Sequence, residues 1–67
     1  MDIIIIKGVK IDRQAAQWFQ VYLESNSMPE IEEAVRKLGE YKAYEALGYI
    51  VRTDNDTRII KLAKRYL

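Results

Sequence analysis

The pattern of apolar and polar residues is most informative in residues 47–62, which read LGYIVRTDNDTRIIKL. Residues 49–51 are aromatic and β-branched, as strands prefer, and residues 53–57 are polar residues that bond their own backbone in turns. A second apolar run follows. The pattern therefore predicts a C-terminal β-hairpin with one apolar face. In this pairing the tip holds Asn55 and Asp56, Val51 lies opposite Ile60, and Tyr49 lies opposite Leu62.

The end of the chain also fits an amphipathic helix. From residue 59 onward the apolar residues recur at helical spacing, while the basic residues share the opposite face. Asp56 or Thr57 would cap such a helix. The hairpin is the preferred interpretation and the C-terminal helix is its alternative, with a strand to Leu62 and a final helical turn as a compromise. The apolar set is Ile59, Leu62, Ala63, Tyr66 and Leu67, and the basic set is Arg58, Lys61, Lys64 and Arg65.

Four consecutive isoleucines at residues 3–6 predict an N-terminal strand. The run is too short for a helix and lacks the alternation of a strand with one wet face, so both of its faces should be covered. It would pair with the C-terminal hairpin in a small three-stranded sheet, or with its own copy in a homodimer. Residues 7–10 read as a turn or a bulge.

A first helix is predicted to start after Asp12, whose side chain is a suitable N-cap. Its apolar stripe holds Ala15, Phe19 and Tyr22, with Trp18 and Leu23 on either side, and Trp18 and Phe19 are the two largest apolar side chains of the chain. Phe19 is expected in the core. Trp18 is expected either in the core or at its edge, because tryptophan often keeps one edge of its ring in water.

A second helix is predicted from the capping-box pattern of residues 27–30 to Gly39. Its apolar residues follow the i, i+3, i+4, i+7 spacing of one helical face. The apolar angles beyond Gly39 no longer align with that face, so a short third helix is expected over about residues 40–47, closed by Gly48. The apolar stripe of the second helix is Ile31, Ala34, Val35 and Leu38.

Two helices are predicted around a Leu-Gly turn. They are followed by residues 44–50 (YEALGYI) and by a polar hairpin with Arg58 in its return strand. This order of elements resembles a winged helix-turn-helix domain. The resemblance covers about residues 29–62 and is closest to the MerR and excisionase type. A chain of 67 residues makes one domain, residues 1–67. The resemblance implies a small α+β fold and a DNA-binding regulator of transcription. Residues 40–46, the would-be recognition helix, hold two Glu and one Lys. Contact through the wing is therefore expected instead.

The charge distribution also indicates that nucleic acid would be contacted through the C-terminal end of the chain. The net charge of +1 conceals six basic against eight acidic residues in residues 1–47, and five basic against two acidic in residues 48–67. A polyanion would meet the C-terminal segment first, through the nucleic-acid backbone or the minor groove. The candidate nucleic-acid-binding residues are Arg52, Asn55, Arg58, Lys61, Lys64 and Arg65.

The aromatic content supports an alternative function. The chain has five Tyr and one Trp in 67 residues, more rings than so small a core can bury, and exposed Tyr and Trp are typical anchors of protein interfaces. The alternative is a protein-binding regulator or inhibitor without nucleic-acid contact, of the kind found among accessory proteins of phages and mobile elements. Its candidate interface residues are Trp18, Tyr41 and Tyr44.

The composition argues against an enzyme. The chain has no His and no Cys, which removes the commonest general base and metal ligand and any thiolate nucleophile. Its three glycines are isolated, so no phosphate-binding loop is expected. We expect no catalytic residue, no metal and no cofactor. No apolar run approaches the length of about 18 residues that a membrane span needs, so a cytoplasmic protein without membrane contact is expected.

Overall fold

A β-hairpin at the N-terminus leads into four helices in the computed structural model, which describes residues 2–67. The expected α+β class, N-terminal strand and first two helices are confirmed. The C-terminal β-hairpin is wrong, because helices occupy that part of the chain. The strands are β1 (Ile3–Ile6) and β2 (Val9–Asp12), and the helices are α1 (Arg13–Glu24), α2 (Met28–Glu40), α3 (Tyr44–Thr53) and α4 (Thr57–Lys64).

The N-terminal strand pairs with the residues that directly follow it. β1 and β2 are antiparallel, with Ile3 opposite Asp12 and Ile6 opposite Val9. Lys7 and Gly8 form the two-residue turn with φ angles of 54° and 77°, the left-handed pair that a type I′ hairpin turn requires. The expected pairing of β1 with a C-terminal hairpin is therefore wrong, and the turn or bulge at residues 7–10 is a turn at residues 7 and 8 alone.

Only one face of β1 is covered by the core. Ile4 and Ile6 pack against it, whereas Ile3 and Ile5 are 49% and 67% exposed on the other face. The expectation that both faces would be covered is wrong. Four identical residues carry no alternation, so the sequence pattern could not show which side faces water.

The first helix begins and packs as the sequence predicts. The backbone N–H of Gln14 donates to Asp12 Oδ1 at 2.8 Å, which makes Asp12 the N-cap of α1. Phe19 is fully buried and its ring lies 5.5 Å from the Tyr49 ring in an edge-on arrangement. It also stacks parallel to Tyr22 at a ring-centre distance of 6.2 Å. Phe19 therefore joins α1 to α3 at the centre of the core.

The start of α2 differs from the predicted capping box. Ser27 is the N-cap residue but its side chain makes no capping hydrogen bond. The hydroxyl of Ser25 instead donates to Glu30 at 2.6 Å and accepts from the N–H of Ser27 at 3.0 Å. The polar residues hold the α1–α2 connection, and α2 follows with the expected stripe buried at Ala34, Val35 and Leu38.

The second helix continues past Gly39 to Glu40 and ends in a Schellman motif. Its left-handed residue is Lys42, with a φ angle of 57°. The N–H of Ala43 donates to the carbonyl of Leu38, and that of Lys42 to the carbonyl of Gly39, as this motif requires. The expectation that Gly39 ends the helix is wrong. Gly39 lies inside α2. This position requires glycine because the ring of Tyr66 occupies the space that a Cβ would take.

The last two helices replace the predicted short helix and hairpin. α3 starts at Tyr44 rather than near residue 40, and Gly48 lies within it instead of closing it. The alternative of a C-terminal helix is correct: the N–H of Arg58 donates to Asp56 Oδ1 at 2.9 Å, which makes Asp56 the N-cap of α4. As a helix, this segment buries Ile59 and Ala63 together in the core, and apolar burial is the dominant favourable term in folding.

The polar residues between α3 and α4 form a loop rather than the tip of a hairpin. The hydroxyl of Tyr22 on α1 donates to Asp54 Oδ2 at 2.5 Å, and the N–H of Asp56 donates to Asp54 Oδ1 at 2.7 Å. Burial, together with the hydrogen bond to Asp54, raises the pKa of Tyr22 above its ordinary value. The hydrogen bond from Tyr22 to Asp54 fastens the loop to α1.

Candidate functional site

An open groove of about 430 Å³ lies between the β-hairpin and the start of α3. We call it the aromatic groove. Its walls carry exposed apolar side chains: Tyr41 is 45% exposed, Tyr44 is 53% exposed and Ile3 is 49% exposed. Its rim carries charges of both signs. The lining residues are Ile3, Lys10, Ile11, Asp12, Ala15, Tyr41, Lys42, Ala43, Tyr44 and Glu45.

A second, smaller depression of about 250 Å³ continues the surface on the other side of Tyr41. It is lined by Trp18, Lys37, Glu40 and Tyr41. The ammonium group of Lys37 lies 5.8 Å from the centre of the Trp18 ring, within the range of a cation–π contact. Because Tyr41 lines both depressions, the three residues predicted as a protein interface, Trp18, Tyr41 and Tyr44, border one continuous surface.

The end of α2 explains why two tyrosines are exposed here. The left-handed Lys42 turns the chain between α2 and α3, and the nearest buried side chains before and after the turn are Leu38 and Ala46. Tyr41 and Tyr44 lie between these anchors and face outward. The hairpin supplies the opposite wall through Ile3. Sequence reasoning found the tyrosines from their number but missed Ile3, because no alternation marks its exposed face.

The predicted wing residues lie on three separate elements. Arg52 is exposed near the end of α3, Asn55 is exposed in the following loop, and the other four are exposed on α4 or directly after it. The structure therefore does not bring the six together as a wing. It does place Arg58, Lys61, Lys64 and Arg65 within about a third of the circumference of the helix. We call these four residues the basic face of α4.

One of the four cations is already paired. Arg58 Nη2 lies 2.9 Å from Asp56 Oδ2, and its Nε donates to Asp56 Oδ1 at 3.2 Å. This hydrogen bonding raises the pKa of Arg58 and lowers the pKa of Asp56. No acidic residue occurs in residues 57–67. Lys61, Lys64 and Arg65 are therefore the stronger candidates for contact with an anion, and Arg58 is the weaker one.

The part of the chain that the structure describes holds neither a metal-binding cluster nor a membrane-spanning helix. Among residues 2–67, no group of three His, Cys, Asp or Glu side chains is placed to hold a metal ion. The helices of that range are all too short or too polar to cross a membrane. Three acidic residues of α2, Glu32, Glu33 and Glu40, form ion pairs along the helix, with Arg36 Nη1 3.2 Å from Glu33. The aromatic groove and the basic face remain as candidate sites.

No protein-family model matches this chain, and no curated protein or solved structure is significantly similar to it.

Proposed function

We propose that this chain is a small regulator or inhibitor that acts by binding a partner protein through the aromatic groove. The main support for this proposal is a concavity lined by exposed apolar side chains. Its lining includes three of the large apolar residues that are exposed within residues 2–67: Ile3, Tyr41 and Tyr44. Exposed apolar patches of this kind mark interaction sites. Tyrosine is a favoured interface anchor because it contributes a large rigid surface and a hydroxyl that tolerates water.

The shape and charge of the groove indicate how a partner would bind. Its volume of about 430 Å³ suits one or two large apolar side chains from a protruding segment of the partner. Lys10 and Lys42 on the rim are balanced by Asp12 and Glu45. A mixed rim of this kind sets orientation and specificity more than it adds affinity. The tyrosines supply the affinity.

Tyr41→Ser combined with Tyr44→Ser is expected to weaken partner binding by at least about tenfold, because it removes both aromatic walls of the groove. The partner is first identified by photo-crosslinking from position 44 in cells, with position 64 on α4 as the control site. The affinity of the purified partner is then measured by calorimetry for the original chain and the double variant.

The matched control is a triple change of Lys61, Lys64 and Arg65 to Ala, which leaves the groove intact and should keep the partner's affinity. Equal crosslinking from positions 44 and 64 would contradict the groove as the binding site. So would a double variant that binds the purified partner as tightly as the original chain.

A second candidate function is binding to the nucleic-acid backbone through the basic face of α4. The observation in its favour is four exposed cations on one side of a helix, in a segment without acidic residues. Contact with phosphates is expected, because Lys and Arg neutralise the charge of the nucleic-acid backbone. Arg52, on α3, and Asn55, in the following loop, are weaker candidates.

For this second function, binding to a fluorescent random-sequence duplex should fall steeply between about 50 and 200 mM salt, because phosphate contacts release counterions. The triple change of Lys61, Lys64 and Arg65 to Ala should weaken binding at low salt and flatten the salt dependence. Fluorescence anisotropy measures both. The matched control replaces three cations elsewhere, Lys7, Lys10 and Lys42, and should change neither. Absence of binding at low salt, or equal effects of the two triple variants, would rule this function out.

A further inference from the structure

The outer edge of β1 is unpaired in the structure. Within residues 2–67 the sheet contains only β1 and β2, so one edge of β1 has no neighbouring strand. The N–H of Arg13 donates to the carbonyl of Asp2 at 2.8 Å, which extends the hairpin register by one pair. The direction of every backbone group along β1 follows from this bond.

In an antiparallel ladder, hydrogen-bonded and non-hydrogen-bonded pairs alternate. Since the pair of Asp2 and Arg13 is hydrogen-bonded, Ile4 and Ile6 direct their backbone groups toward β2. Ile3 and Ile5 then direct their N–H and C=O groups away from β2, toward the unpaired edge. The same two residues hold the exposed side chains of β1.

β1 is short, with four residues, but it lacks three other features that proteins use to prevent strand pairing. Residues 3–6 contain no charged residue, no proline and no bulge, and each of those features would block another strand. Ile5, at 67% exposed, is the most exposed of the large apolar residues that the structure describes. Backbone donors and acceptors and apolar surface are thus available on one short segment.

We propose that a second copy of this chain pairs with this edge, antiparallel to β1 and across a two-fold axis at Ile4, to form a four-stranded sheet. Side chains that face each other in such a pair must lie on the same side of the sheet. Ile3 of one copy therefore lies opposite Ile5 of the other, and the two Ile4 residues face each other. The backbone groups of Ile3 and Ile5 supply four hydrogen bonds between the copies.

A second copy of the chain is the expected partner of the β1 edge because this edge is complementary to itself. In this register each row of side chains across the four strands, on the outer face of the sheet, holds Lys10 and Ile5 of one copy followed by Ile3 and Asp12 of the other. The apolar residues meet in the middle and unlike charges lie at the two ends, so no like charges face each other. A register centred on Ile5 would need Lys7 in extended conformation, whereas its φ angle of 54° belongs to the turn.

Sedimentation velocity of the purified chain tests this proposal independently of any partner protein. From about 10 μM to about 1 mM, the mass is expected to rise from monomer to dimer. Ile5→Lys should raise the dimer dissociation constant by at least about tenfold, because a charge on an edge strand blocks pairing. Tyr44→Ser, a change in the aromatic groove, is the matched control and should leave the dimer intact.

Two further measurements separate lost pairing from lost folding. Ile5→Pro removes an N–H that points away from β2, so the hairpin survives while the edge is blocked. In hydrogen exchange, the amides of Ile3 and Ile5 should become protected as the concentration rises, whereas those of Ile4 and Ile6 should be protected throughout. A monomer at about 1 mM, or a dimer that survives both Ile5 variants, would overturn the proposal. A dimer lost only in Tyr44→Ser would assign the contact to the groove and overturn it as well.

Discussion

Replacing Phe19 with alanine is expected to lower the free energy of unfolding by about 3 to 5 kcal/mol, the usual cost of truncating a buried phenylalanine. Phe19 is fully buried and contacts the rings of Tyr22 and Tyr49. The change removes apolar burial and both aromatic contacts, and it leaves a cavity between α1 and α3. Urea denaturation followed by circular dichroism measures the effect.

The size of the chain makes a conservative second variant necessary. A domain of this length typically has only a few kcal/mol of stability, so the alanine variant is expected to be largely unfolded. Phe19→Leu keeps most of the volume and should fold, with a loss of less than about 1.5 kcal/mol. Gln17→Ala, an exposed change on the same helix, should stay within about 0.5 kcal/mol. A well-folded Phe19→Ala protein of unchanged stability would show that this ring is not central to the core.

Gly39→Ala is expected to destabilise the protein, although alanine favours a helix over glycine by about 0.5 to 1 kcal/mol. A Cβ at position 39 would overlap the ring of Tyr66. Overpacking of this kind typically costs about 1 to 3 kcal/mol, more than the helical gain. We therefore expect a net loss of unfolding free energy, measured by urea denaturation.

A double-mutant cycle tests the cause of that loss. In a Tyr66→Ala background the ring is absent, so Gly39→Ala should become stabilising by about 0.5 to 1 kcal/mol. Gly48→Ala is the matched control, because that glycine also lies within a helix but a Cβ there would meet only the end of the Arg52 side chain. It should stabilise in every background. If Gly39→Ala stabilised the original chain, the close packing of Tyr66 on α2 would be wrong.

The β-hairpin brings the two proposed interaction surfaces next to each other. Ile3 lines the aromatic groove with its side chain and offers its backbone groups at the free edge of β1. Pairing of two copies at that edge would therefore place two grooves on one assembly. Such an arrangement would allow a dimeric partner to bind both grooves at once, with a gain in effective concentration.

Parts of the fold that depend on short-range interactions could be predicted from the sequence. Asp12 caps α1 because its carboxylate reaches an N–H two residues later. The buried stripe of α2 follows from the spacing of apolar residues, since one helical face repeats every three to four residues. The polar residues 53–57 predict a reversal of the chain, and residues 54–56 do form a connection in which the N–H of Asp56 donates to Asp54 Oδ1, but it joins two helices rather than two strands.

The residues of the candidate sites could also be predicted from the sequence only in part. Trp18, Tyr41 and Tyr44 were predicted as interface residues because so small a core cannot bury every ring, and the structure places them along one surface. The four cations of α4 were assigned to a common face only in the alternative helical interpretation. Ile3 and Ile5 could not be assigned to the surface, because identical neighbours give no signal of which side faces water.

The sequence by itself determined the first strand, the start of α1, the apolar face of α2 and the position of the polar loop after α3, because each depends on residues within about one helical turn. Only the tertiary structure decided that residues 57–64 are helical. Their apolar residues suit either period, and the helix prevails because it buries Ile59 and Ala63 against the other helices. It also places Tyr66 against Gly39. That contact joins residues far apart in the chain, so no local pattern could reveal why α2 continues through a glycine.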